Sequence, residues 1–215
     1  DPVKGWPRGP IAVESVTISP MSTIRVESRD AYQIAFIDRP KANAIDLTVV
    51  ADFAAVLSGA ESDPSVRGLI LAGRPGFFSA GLDLPSLASL DRETMVGFWA
   101  TFDRLLLALY ESPLVVMSAI TGHAPAGGCV LSLMTDYRVM AEGSFKIGLN
   151  EAAMGLVVPY GVLLALRRVV GERSAERLAT TGELLDPSEA FDLGLVDELA
   201  VPDEVLERTE AVMGR

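Results

Sequence analysis

Histidine and cysteine are almost absent from this chain. Its 215 residues include one of each, His123 and Cys129. A single cysteine excludes an intrachain disulfide and any multi-cysteine zinc or iron–sulfur site, and a single histidine excludes multi-histidine metal centres. Positive charge is scarce as well. There are 18 Lys and Arg against 29 Asp and Glu, a net charge of −11, which argues against a surface that grips nucleic acid by bulk charge. The sequence contains no G-x-x-x-x-G-K-[ST], no G-x-G-x-x-G after a strand and no G-x-S-x-G. Phosphate-binding loops, dinucleotide folds and the nucleophile elbow therefore lack support. No segment reads as a signal peptide or membrane span. Residues 1–20 carry Pro2, Pro7, Pro10 and Pro20 among scattered charges and lack an apolar stretch. Chemistry is left to carboxylates, backbone dipoles, hydroxyls or the one imidazole.

What is present is a globular balance of 49% hydrophobic and 22% charged residues, enough chain for one domain with a sizeable core. Strands are predicted at Thr23–Glu27 and Tyr32–Ile37, joined by a polar turn, and at the apolar runs Gly68–Ala72 and Leu114–Ile120. Asp46 is placed to cap a helix carrying Val50, Phe53, Ala54 and Leu57 on one face, and Asp91 to cap a second. Met95, Phe98, Phe102, Leu105 and Leu109 give this second helix its apolar stripe. Further expectations are a helix running from the 122–128 glycine segment to Met134, a strand at Tyr137–Ala141 and helices at Tyr160–Val170, Ser174–Thr181 and Pro187–Leu193. A strand at Leu195–Leu199 and a helix from Asp203 close the chain. The alternation is a βαβ rhythm and predicts an α/β or α+β class with largely parallel pairing. A flexible leader is expected over 1–20 with the fold starting near Met21. The core then covers 21–201, and 202–215 reads as the start of a truncated or disordered C-terminal helical region.

Three segments carry possible chemistry. In Phe77–Leu84 (FFSAGLDL) the small residues Ser79, Ala80 and Gly81 would let a ligand approach the backbone, and Asp83 could cap the next element. An ordinary strand-to-helix turn would look the same. In Pro125–Cys129 (PAGGC), Gly127 and Gly128 fall at a helix start, where unpaired N–H groups and the helix dipole can stabilise an oxyanion. Close packing that only glycine permits is the other reading. Glu151 is the one charged residue among the twenty from Ile147 to Leu166. A carboxylate buried in apolar surroundings is raised in pKa and suits a general base. The same residue could instead begin a helix behind Asn150. His123 reads as a surface or packed residue and Cys129 as a small core residue.

Together with Arg39–Ala44 (RPKANA), Asp136–Arg138 (DYR), Ile147–Glu151 (IGLNE) and Ala190–Glu198 (AFDLGLVDE), these segments resemble the crotonase superfamily. The resemblance runs from about Ile24 to Val201 and is strongest to Δ3,Δ2-enoyl-CoA isomerases of the mitochondrial type. It implies a crotonase-like spiral of ββα turns with a C-terminal helical part. It also implies an oxyanion hole from the N–H groups of Leu82 and Gly127, and Glu151 as catalytic base. The CoA moiety would be lined by Lys41, Ala42, Ser79, Ala80, Gly81 and Asp83. Superfamily hydratases place a second glutamate directly after the G-G-C, where this chain has Val130. One carboxylate implies an allylic shift of a 3-enoyl-CoA to a trans-2-enoyl-CoA, as in the oxidation of unsaturated fatty acids. Other readings within the resemblance are an enoyl-CoA hydratase, a thioester hydrolase, a dienoyl-CoA isomerase or a non-catalytic acyl-CoA-binding homologue. Also implied are an acyl-CoA thioester substrate, no cofactor beyond the CoA of that substrate, no metal, and a homotrimer or hexamer. The expected location is the cytoplasm, or the mitochondrial matrix if the source is eukaryotic. Arg39, Lys41 and Arg74 are the cations expected near the CoA.

Overall fold

The computed structural model describes residues 22–215; the expected leader, with Met21, lies outside them. The chain opens with the hairpin β1 (Ile24–Ser28) and β2 (Tyr32–Ile37), then α1 (Leu47–Ser62), which Asp46 caps by accepting the Val49 N–H. A two-strand-and-helix unit then repeats. Its first copy is β3 (Gly68–Ala72), β4 (Gly76–Phe77), the short α2 (Leu84–Ala88) and the long α3 (Arg92–Glu111). The second is β5 (Val115–Ile120), β6 (Gly122–Pro125) and α4 (Gly127–Leu133). The third is β7 (Tyr137–Ala141), β8 (Ile147–Gly148), a 3-10 turn at Ala152–Met154 and α5 (Tyr160–Val170). Helices α6 (Glu172–Thr181) and α7 (Pro187–Asp192), strand β9 (Glu198–Ala200), a 3-10 turn and α8 (Val205–Met213) complete the chain.

Each repeat contributes its first strand to a six-stranded sheet, ordered β1-β2-β3-β5-β7-β9, and its second to a small sheet, ordered β4-β6-β8. The result is the expected spiral of ββα turns. Among the described strands only the opening hairpin pairs antiparallel; the other strand pairs are parallel. The large sheet is covered on both faces, which is why β3 and β5 read as continuous apolar runs rather than alternating ones. Leu69, Leu71, Val116 and Ile120 point into the main core with α1 and α3, while Ile70, Ala72, Met117 and Ala119 share the opposite face with Val205 of α8. Helix α8 packs on the sheet through Val205, Leu206, Val212 and Met213.

Two boundaries differ from expectation. The strand expected at Leu195–Leu199 is β9, three residues later. Leu195 and Val196 instead pack into the core from a turn that Gly194 opens at φ +78°. Asp197 is held there by Arg138, whose backbone N–H and guanidinium each lie 2.8 Å from its Oδ2. The glycine segment before α4 holds a strand that was not expected there, β6, the centre of the small sheet. Among the described residues no helix is long and apolar enough to cross a membrane.

Candidate active site

Three loops meet where the small sheet ends. The loop after β2 winds through three consecutive left-handed residues, Lys41 (φ 61°), Ala42 (φ 70°) and Asn43 (φ 55°). Such a run is costly for residues bearing a Cβ and survives only when its surroundings hold it. Fully buried Asn43 does so. Its Nδ2 donates to the Phe77 and Phe78 carbonyls, and its Oδ1 accepts the Arg39 N–H. The Ala80 N–H donates to the Ala42 carbonyl at 2.9 Å, so the loops at 39–46 and 77–84 move as one piece.

That piece presents Leu82. Ile45 and Leu82 form an isolated parallel bridge, in which the Ile45 N–H donates to the Gly81 carbonyl and the Asp83 N–H to the Ile45 carbonyl. The Leu82 N–H is left on the far side of the bridge with no acceptor among the described residues. The Gly127 N–H, first in α4, is likewise without an acceptor. The two are neighbours. A Cβ placed on Gly81 would lie 3.0 Å from the Gly127 nitrogen, and one placed on Gly127 would lie 3.3 Å from the Leu82 nitrogen. Ala126, immediately before α4, is held at φ 47°. Two unpaired donors side by side at a helix start form a ready cradle for negative charge.

A cavity of about 320 Å³ opens in front of these donors. Its walls come from Ala80, Leu82 and Leu84, from Trp99, Phe102, Asp103 and Leu106 of α3, from Ala126, Gly127 and Val130, and from the 150–162 segment. Glu151 enters it from the start of the 3-10 turn. Its Oε2 is buried without a hydrogen-bond partner, as is the Oδ1 of Asn150. Burial pushes the Glu151 carboxyl above the ordinary carboxylate range. Glu151 does begin a helical turn, as the N-cap of the 3-10 turn whose carbonyl accepts the Met154 N–H, but its side chain makes no capping hydrogen bond.

The remaining sequence candidates lie elsewhere. Ser79 is fully buried, its Oγ donating to the Asn43 carbonyl at 2.7 Å and accepting the Gly81 N–H. Gly81 is buried behind the cavity wall at φ +88°. Lys41 and Ala42 sit on the left-handed loop, Lys41 exposed, outside the cavity lining. Asp83 caps α2 and binds Arg39, whose Nη2 lies 2.7 Å from Asp83 Oδ2 and 2.9 Å from Asp46 Oδ2. That guanidinium holds the Asp83 carboxyl below the usual range. The expectation that Arg39 is available to CoA is therefore corrected: its charge is spent inside the protein. Arg74 Nη2 donates to the Arg39 carbonyl. His123 packs between Phe77, whose ring is tilted against it, and Phe145, which meets it edge to face, and accepts the Lys146 N–H on Nδ1. Cys129 is buried and its thiol is pushed far up by desolvation, so it is inert.

Asp103 is the cavity residue that sequence reasoning passed over. It lies between Phe102 and Leu106 of the apolar stripe and one turn from Trp99. An acidic residue so placed was the available signal.

Residues 29–215 match the model of the enoyl-CoA hydratase/isomerase family. The chain belongs to this family. It is 40% identical over 194 residues to the mitochondrial enoyl-CoA delta isomerase 1 of Rattus norvegicus, covering 89% of this chain and 67% of the relative. Against the human protein of that name it is 40% identical over 172 residues, covering 79% and 57%. A crotonyl-CoA hydratase of Syntrophomonas wolfei is 30% identical over 196 residues, with 89% and 74% covered. The crystal structure of human mitochondrial delta3-delta2-enoyl-CoA isomerase superposes with a TM-score of 0.86 at 35% identity, over 89% of this chain and 76% of that one. The chain thus spans 67% and 57% of the length of the rat and human mitochondrial isomerase sequences it matches.

Proposed function

We propose that this enoyl-CoA hydratase/isomerase family member shifts the double bond of a 3-enoyl-CoA to give the trans-2-enoyl-CoA. The observation that carries the reading is Glu151: a desolvated carboxylate in an apolar cavity whose Oε2 has no hydrogen-bond partner, beside two backbone donors without an acceptor among the described residues. The thioester carbonyl oxygen rests on the Leu82 and Gly127 N–H groups. Glu151 removes a proton from C2, and the electron pair of that C–H bond moves toward the carbonyl, giving a dienolate whose negative oxygen the two donors stabilise. The carboxyl then returns its proton at C4. The C3–C4 double bond becomes C2–C3, the carbonyl is restored, and nothing is gained or lost overall. Val130, on α4 at the cavity wall, supplies no second carboxylate beside Cys129 to position a water, and its apolar surface keeps water from the dienolate. The similarity to mitochondrial isomerases supports this reading; the similarity to hydratases makes hydration the rival to be tested.

The test is a product assay with 3-enoyl-CoA and 2-enoyl-CoA offered separately. Isomerised product from the first and little 3-hydroxyacyl product from the second is expected. Hydration of the 2-enoyl ester as the faster reaction overturns the assignment. Glu151→Gln is expected to lower isomerase kcat by roughly 100- to 10,000-fold, the range of a lost general base, while binding of a saturated acyl-CoA is retained. Full turnover by that variant removes Glu151 from the mechanism.

A further inference from the structure

The mouth of the apolar cavity carries a second carboxylate, the solvent-exposed Asp103, that the proton shuttle leaves idle. Asp103 lies in the middle of α3, and Trp99, Phe102 and Leu106 of the same helix line the cavity with it. Its carboxylate has no hydrogen bond and no ion pair among the described residues. The usual structural uses of an acidic residue on a helix are missing here. It is too far from the helix start to cap it. The residues three and four away on either side are Ala100, Trp99, Leu106 and Leu107, none of them a cation. The adjacent Arg104 turns back to the Ala100 carbonyl and the Thr101 hydroxyl. Asp103 keeps its access to solvent, and partial desolvation by its neighbours raises its carboxyl.

Resting on the reading above, the ester carbonyl is fixed at Leu82 and Gly127, so the acyl chain runs outward along the α3 wall. A plain hydrocarbon laid over Asp103 strips water from the carboxylate and gives nothing back. A chain that carries a hydroxyl donates a charge-assisted hydrogen bond in exchange. We propose that Asp103 is a specificity-determining residue that selects enoyl-CoA esters bearing a hydroxyl on the acyl chain over unsubstituted esters of the same length.

The experiment compares kcat/KM for 3-enoyl-CoA and the matching ω-hydroxy-3-enoyl-CoA over a series of chain lengths. It uses the wild-type chain, Asp103→Leu and Asp103→Asn. At the length that brings the hydroxyl to α3, the wild type is expected to favour the hydroxylated ester roughly tenfold, the worth of one hydrogen bond to a partly exposed charge. Asp103→Leu should reverse the preference, and Asp103→Asn, which keeps an acceptor, should retain part of it. The same substrate ratio in wild type and Asp103→Leu at every length overturns the proposal. Should Asp103→Leu fail to fold, a wild-type ratio unchanged in Asp103→Asn and never favouring the hydroxylated ester overturns it equally. If the wild type turns over no 3-enoyl ester, it is the isomerase reading that fails. Asp103 is then judged by calorimetric binding of saturated and ω-hydroxy acyl-CoA esters, where equal affinities overturn the inference.

Discussion

Glu151 is destabilising where it stands. Its carboxyl is raised by desolvation, so the native state holds the proton at pH values where the unfolded chain has released it. The stabilisation from that proton is complete below the unfolded carboxylate pKa of about 4.3 and is lost as pH rises through the higher native value. Glu151→Gln carries no such penalty. Thermal melts should therefore show the variant with a higher Tm than the wild type at neutral pH, the gap closing as pH falls toward the ordinary carboxylate range. A wild type that is the more stable at neutral pH would contradict the burial argument. Activity runs the other way, since the base must be ionised: isomerase kcat/KM should climb with pH through the same raised value. This residue was legible in the sequence because it stands alone among apolar neighbours. For Asp103 the signal, one acidic residue beside an apolar helical stripe, was there but indecisive, because that pattern looks the same whether the position faces water or a cavity mouth. The donors at Leu82 and Gly127 belong to the backbone, and no side chain announces them: Gly127 was readable as a glycine at a helix start, whereas Leu82 was pointed to by the family resemblance alone.

At the scale of elements, α4 depends on two adjacent glycines for different reasons. A Cβ on Gly128 would lie 2.5 Å from the Ser79 carbonyl oxygen, a backbone atom pinned by the Asn43 network. Gly128→Ala should destabilise the fold by about 1–3 kcal/mol through that overlap, read in denaturant titration. A Cβ on Gly127 would meet Ile45 Cδ1 at 3.1 Å and the Leu82 nitrogen at 3.3 Å. There it crowds the place where an oxyanion would sit. Gly127→Ala should lower kcat by more than tenfold, with the smaller loss of stability of the two. Equal stability losses with kcat intact would detach Gly127 from the chemistry. The long elements were readable for ordinary reasons: α1 and α3 have Asp46 and Asp91 as caps and a 3–4 apolar spacing, and β3 and β5 are apolar throughout. The small sheet was missed because β4 and β8 are two residues each, too short to show any period. Yet this sheet is what carries each loop to the site.

For the molecule as a whole, the acidity and the apolar surface lie in different places. Residues 171–215 hold 12 acidic and 4 basic residues, most of the net charge of −11. The cavity mouth instead carries exposed Leu84, Trp99, Met154 and Leu156, together with Val157 at 89% exposure, and it continues onto Tyr160 at 69% and Leu164 of α5. A continuous apolar rim of this kind is a contact surface rather than a solvated one. Two copies meeting through their acidic segments would repel, so the rim is the face through which this chain should self-associate. Sedimentation velocity is expected to show oligomers of the wild type, and Val157→Lys combined with Tyr160→Lys should shift them toward monomer. Identical sedimentation of the two would place the contact elsewhere. The rim also borders the cavity, so a neighbour seated on it would shield the acyl chain from water. Association and substrate binding are then linked by mass action: specific activity should rise with protein concentration in the wild type and stay low and flat in the double variant.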